Sequence, residues 1–154
     1  MPINFTGTYT TTFDTLTTDT NTASTWSNDQ TLPGWFLLTQ AAGGTPVTTY
    51  RANAGDNPEG SFYSFGTIGS GDRALGGVGS SGDYFGDPAS GASAGWIAFA
   101  ATNATGATVN DLTVTFNGEQ WRNGGNTTAQ AMNLAYAIGT DFTSIMDWTP
   151  LTGR

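Results

Sequence analysis

Apolar and polar side chains alternate with a period of two along much of this chain, a spacing that one face of a strand presents and a helix does not. Leu112-Thr113-Val114-Thr115-Phe116 is the clearest run, with Leu, Val and Phe on one side and Thr on the other. Met132, Leu134, Tyr136 and Ile138 alternate in the same way with Asn133, Ala135 and Ala137. Gly, Asn, Asp and Pro break the pattern about every ten residues, as turns between short strands do. The expectation is an all-β fold, an antiparallel β-sandwich of jelly-roll type, in one domain spanning residues 1–154. A chain of that length can bury roughly 70% of the surface its unfolded form exposes.

Further strands are expected at Ile3–Phe13, with a bulge at Gly7, and at Trp35–Thr39, Val47–Ala52, Ser61–Thr67 and Arg73–Val78. Trp96-Ile97-Ala98-Phe99-Ala100 is apolar on both faces, as a central strand covered on both sides would be. With the turn at Asn103-Ala104-Thr105-Gly106, residues 95–139 read as a three-stranded meander. Its inward faces predict a core of Trp96, Phe99, Leu112, Val114, Phe116, Leu134, Tyr136 and Ile138. Thr15–Pro33 and Gly79–Gly95 read as loops, far longer than the usual roughly 4 to 6 residues and so candidates for function. No repeat of solenoid length is present.

The composition narrows the chemistry. No His, Cys or Lys occurs, which removes the imidazole base, the thiolate nucleophile and the Schiff-base amine. The expected protein is not an enzyme. A net charge of −8, with four basic residues in all, argues against nucleic acid as a partner, because phosphates are met by clustered Lys and Arg. No apolar run reaches the roughly 20 residues of a membrane span, so no membrane insertion is expected. Met1-Pro2-Ile3 has neither the basic start nor the apolar stretch of a signal peptide. An export address, if used, is expected to have been removed or to lie elsewhere.

Asn117-Gly118-Glu119-Gln120-Trp121-Arg122 gathers amide, carboxylate, indole and guanidinium. Glu119, Gln120, Trp121 and Arg122 are therefore the candidate ligand site: the indole covers the apolar side of a sugar ring and the planar polar groups take its hydroxyls. The competing reading pairs Glu119 and Arg122 with each other, or with Asp72 and Arg73, and lets Trp121 close the core. Asp83 and Asp87, in the Gly-rich loop, are the candidate metal ligands. Carboxylates in such loops are the hard oxygen donors calcium prefers, although their spacing is unlike an EF-hand. No cofactor is expected otherwise, and calcium is the one candidate. Gly69-x-Gly71 and Gly76-Gly77-x-Gly79 do not form a phosphate loop, since no strand-to-helix unit and no Lys accompany them. A glycosidase would need two carboxylates across a cleft, which sequence cannot place.

Five further stretches accompany the Phe116–Arg122 segment: Phe13-Asp14-Thr15-Leu16, Thr31-Leu32-Pro33-Gly34-Trp35, Ser61-Phe62-Tyr63-Ser64-Phe65-Gly66, Asp72-Arg73-Ala74-Leu75-Gly76 and Asn103–Gly106. In order and spacing, along residues 5 to 148, they resemble a jelly-roll-like β-sandwich module of large secreted or surface-anchored bacterial proteins, found beside lamin-tail and extracellular nuclease-like domains. The resemblance implies a secreted or cell-surface location and a sandwich architecture, and assigns no activity. In that family several strands follow the position of Trp148. The expectation is a sandwich that lacks its closing C-terminal strands and leaves an edge open to strand addition.

The functional expectation is a non-catalytic extracellular structural or adhesive module, with a polysaccharide as the ligand it would take. The alternative is a self-assembling filament subunit that lends residues 3–13, through Ile3, Phe5, Tyr9 and Phe13, to a neighbour. Its partners would be other copies or the remainder of its own parent chain. A glycoside hydrolase-like enzyme ranks third.

Overall fold

The computed structural model describes residues 2–39, 45–79, 95–125, 127, 132–140, 144–145 and 147–151. The elements named among them are all strands: β1 (Ile3–Phe5), β2 (Ser24–Thr25), β3 (Trp35–Leu38), β4 (Thr49–Asn53), β5 (Ser61–Phe65), β6 (Ala74–Val78), β7 (Trp96–Phe99), β8 (Ala101–Asn103), β9 (Ala135–Tyr136) and β10 (Thr149–Pro150). The chain is all-β, as the alternation predicts. The strands form a four-stranded sheet in the order β2-β4-β5-β6 and the pairs β3-β7, β1-β8 and β9-β10. Pairing is mixed rather than purely antiparallel, because β4 with β5 and β1 with β8 run parallel.

The larger core cluster sits in the first half of the chain, and a smaller one joins Leu38 to Ala98, with Phe36, Trp96, Ala100 and Trp148 packed against it. Leu16, Trp26, Leu32, Leu37, Val47, Tyr50 and Phe62 are buried in one cluster, with Phe13, Trp35 and Leu75 packed against it. Leu37 from the β3-β7 pair thus meets Tyr50 and Phe62 of the four-stranded sheet. One segment links the two: Val47 N donates to Leu37 O, while Trp26 N donates to Thr48 O. The Thr15–Pro33 stretch is part of the core rather than a free loop. It supplies Leu16, Trp26 and Leu32, and its polar groups fold it inward. Asn28 Oδ1 accepts from Trp26 Nε1 at 2.7 Å and from Leu37 N at 2.8 Å, and Tyr50 Oη accepts from Thr17 N at 3.0 Å.

The predicted meander and its core are corrected. Leu112, Val114 and Phe116 are 67%, 68% and 54% exposed, and Ile138 is 93% exposed. Leu134, Tyr136 and Phe99 are also largely exposed, and Trp96 is half-buried. Residues 108–123 contain no strand, and of the Met132–Ile138 run only Ala135–Tyr136 is paired. Instead, Trp96–Phe99 pairs antiparallel with Trp35–Leu38, so that Trp35 faces Phe99 and Leu38 faces Trp96. β7 is therefore one strand of a pair, not a strand covered on both sides. The physical reason is that period two identifies which side chains share a face, whereas burial needs a second layer to lie over that face. In the same way the predicted Ile3–Phe13 strand is shortened to Ile3–Phe5. Gly7 at φ 139° and Phe13 at φ 63° bend the backbone away from an extended path.

A candidate aromatic binding surface

Only residues 54–60 connect the parallel strands β4 and β5, and the buried Asn53 side chain organises them. Asn53 Nδ2 donates to Asp56 Oδ1 at 2.8 Å, and Asn53 Oδ1 accepts from Gly55 N at 2.5 Å. This places Gly55 at φ +94°, a left-handed conformation that glycine adopts without cost. A Cβ on Gly55 would run into the carbonyl of Trp121. The 119–122 segment docks on this connection. Arg122 Nη1 donates to Gly55 O and to Asp56 O, each at 3.2 Å, and the Trp121 ring stacks on Phe65 at 6.1 Å between centroids and 7° between planes. Trp121 Nε1 donates to Glu119 Oε2 at 2.8 Å.

Three of the four predicted ligand residues therefore come together, but chiefly to clamp the chain. Arg122 spends one terminal nitrogen on two backbone carbonyls, and one face of the indole lies on Phe65. Glu119 pairs with the Trp121 indole rather than with Arg122, Asp72 or Arg73. Gln120 stays exposed. Beside the clamp is a small open cleft of about 270 Å³, lined by Thr20, Asn53, Ala54, Asp56, Asn57 and Ile68. Such a volume falls below the roughly 300 Å³ at which small-molecule pockets begin.

Two ionisable groups are shifted by burial in this sheet. The Tyr63 phenol is pushed above its ordinary pKa by desolvation and by Glu59, against the opposing pull of Arg51 and Arg122; its hydroxyl donates to Glu59 O at 2.8 Å. The buried Arg73 guanidinium is pulled below its usual range by desolvation, partly offset by Asp72. It donates through Nε to Ser64 Oγ at 2.8 Å and through Nη2 to Ser64 O. The Asp72–Arg73 step is thus a structural anchor whose Arg73 N also donates to Asp14 Oδ1 at 3.3 Å.

The candidate metal ligands Asp83 and Asp87 lie outside the described residues, among which no cluster of three His, Cys, Asp or Glu side chains forms. Of the candidate strand-exchange residues, Ile3 and Phe5 are paired within the chain, Ile3 with Ala101 and Phe5 with Asn103. Tyr9 and Phe13 lie in a cluster of rings that the sequence does not reveal. Tyr9 stacks on Phe99 at 4.5 Å and 27°, Phe99 lies 5.2 Å from Trp35, and Phe13 meets Trp35 edge-on at 4.9 Å. The Trp35 indole donates to Tyr9 Oη at 2.9 Å. Tyr9 and Phe99 are 36% and 38% exposed, and Trp35 and Phe13 are half-buried. This four-ring surface depends on the β3-β7 register, and no local motif would have disclosed it.

Comparison with protein-family models, with curated proteins and with solved structures finds no match for the chain.

Proposed function

We propose that the chain is a non-catalytic structural module of secreted or cell-surface type, a β-sandwich that acts by assembling with other copies or with the remainder of its own parent chain. One observation carries the reading. Val109, Leu112, Val114, Phe116, Met132, Leu134, Tyr136, Ile138 and Leu151 are all exposed. Each keeps on the order of 100 Å² of apolar side chain in water, surface that association with a partner would remove. The core shared by the β3-β7 pair and the four-stranded sheet supports the sandwich assignment. Scarce charge and a Gly-rich, cysteine-free chain suit a surface location. The test is light scattering coupled to size exclusion at increasing protein concentration. Growth in mass supports assembly, whereas a constant monomer that binds no hydrophobic dye refutes it.

The four-ring surface favours a second reading, adhesion to a neutral polysaccharide. The parts of Tyr9 and Phe99 left exposed by their mutual stacking offer apolar ring surface to a pyranose, and the Tyr9 hydroxyl offers it a polar group. The net charge of −8 selects against acidic glycans. Titration of neutral oligosaccharides against Trp fluorescence should give saturable binding that Tyr9→Ala abolishes; an unchanged affinity in Tyr9→Ala would dismiss the surface.

A further inference from the structure

Resting on the assembly reading above, we infer that Leu112–Phe116 is a strand lent to a second copy of this chain, where it extends the four-stranded sheet beyond β6. The segment lies between two anchors, Asn103 paired to Phe5 and Trp121 stacked on Phe65. Between them, residues 104–120 are exposed throughout. Leu112, Val114 and Phe116 keep the side-chain pattern of a half-buried strand and find no sheet to join among the described residues. A run of Leu, Thr, Val, Thr and Phe strongly favours a pleated surface, so its exposed state is what a donor strand looks like before it is received.

The acceptor is on the same molecule. β6 ends the sheet order β2-β4-β5-β6, and its outer edge has no partner among the described residues. It matches the donor in length, five residues each, and Ala74-Leu75-Gly76-Gly77-Val78 carries no charge and no Pro, the devices that normally blunt an edge. Phe62 and Gly77 are cross-strand partners, so Gly77 shares the face of the buried Phe62 yet is itself exposed. The absent side chain leaves room at Gly77 for a neighbouring strand to lay Leu, Val or Phe beside β6. β2 at the other end has two residues, too few to receive the segment. Two copies are the natural occupants of each other's edges. With roughly 100 Å² for each of the three apolar side chains, and donor and acceptor surface counted in both copies, reciprocal exchange buries on the order of 1,200 Å², the lower bound of a standard stable interface before any backbone is included. Both surfaces are uncharged while each copy carries −8, so added salt should tighten the dimer by screening the long-range repulsion.

The experiment combines sedimentation velocity of the full chain, at several protein and salt concentrations, with hydrogen exchange on the same samples. The expected result is a dimer that strengthens with salt, with amides of residues 112–116 and 74–78 gaining protection together as it forms. Val114→Arg should abolish the dimer and leave the melting temperature of the monomer unchanged, because the side chain is exposed there. A dimer that survives Val114→Arg, with protection appearing elsewhere, would overturn this strand pairing and leave the assembly reading standing. Joint protection of both segments in a monomer would make the occupant the chain's own segment and overturn the exchange. A monomer without that protection under all conditions would defeat both.

Discussion

Leu37→Ala and Leu112→Ala are the same chemical change placed in the two halves of the chain, and they should differ several-fold in cost. Leu37 is fully buried between β7 and the Trp26–Tyr50–Phe62 cluster. Removing its distal carbons forfeits about 2 kcal/mol of transfer free energy, at roughly 0.8 kcal/mol per buried CH₂. A cavity in so enclosed a site adds about 1–2 kcal/mol more, so the expected loss is about 3–4 kcal/mol. Leu112 has only about a third of its surface out of water and leaves no cavity, so the same arithmetic yields about 0.7 kcal/mol. Urea denaturation followed by Trp fluorescence measures both, at a protein concentration low enough to keep the chain monomeric. For a domain of this size Leu37→Ala should lower Tm by about 6–16 °C at roughly 2–4 °C per kcal/mol, and Leu112→Ala by about 1–3 °C. If Leu112→Ala costs as much as Leu37→Ala, the core lies where the alternation alone would put it, and the packing described here is wrong.

Asn28→Ala leaves the buried Trp26 indole and the Leu37 amide without their acceptor and should cost about 2–4 kcal/mol in the same assay, whereas Asn28→Asp, which keeps the acceptor, should lose under half as much. Gly55→Ala forces a side chain into left-handed backbone and against the Trp121 carbonyl; it should cost more than about 1 kcal/mol and increase quenching of Trp121 fluorescence by acrylamide. Alkaline stability should reflect Tyr63. Because its folded pKa lies above the unfolded value of about 10, the unfolded chain loses this proton first. The contribution is therefore complete below about pH 10 and declines as pH rises through the folded pKa. Tyr63→Phe should flatten that decline in a series of thermal melts; a slope identical to the parent protein's would show that Tyr63 is not its source.

Much of the strand inventory was legible before any coordinates. Trp35–Leu38, Ser61–Phe65, Ala74–Val78 and Trp96–Phe99 sit where alternation and the flanking Gly, Pro and Asn place them. The clustering of Trp121 and Arg122 was legible too, because it is local, but its use was not. Whether an Arg faces a ligand or two backbone carbonyls depends on residues 55 and 56, far away along the chain. The aromatic surface was hidden for the same reason: Tyr9, Phe13, Trp35 and Phe99 carry no shared spacing and meet only through the pairing of β3 with β7.

The sequence by itself determined the secondary-structure class, the absence of His, Cys and Lys chemistry, and the acidic, sparsely charged surface, since these follow from backbone preference, side-chain inventory and formal charge. Tertiary structure alone decided which apolar faces became core. The Leu112–Phe116 run is more regular than anything around Leu16, Trp26 or Leu32, yet it is the latter that are buried. Alternation is a property of one strand, and burial is a property of two layers in contact. A run that meets no second layer keeps its pattern and remains exposed.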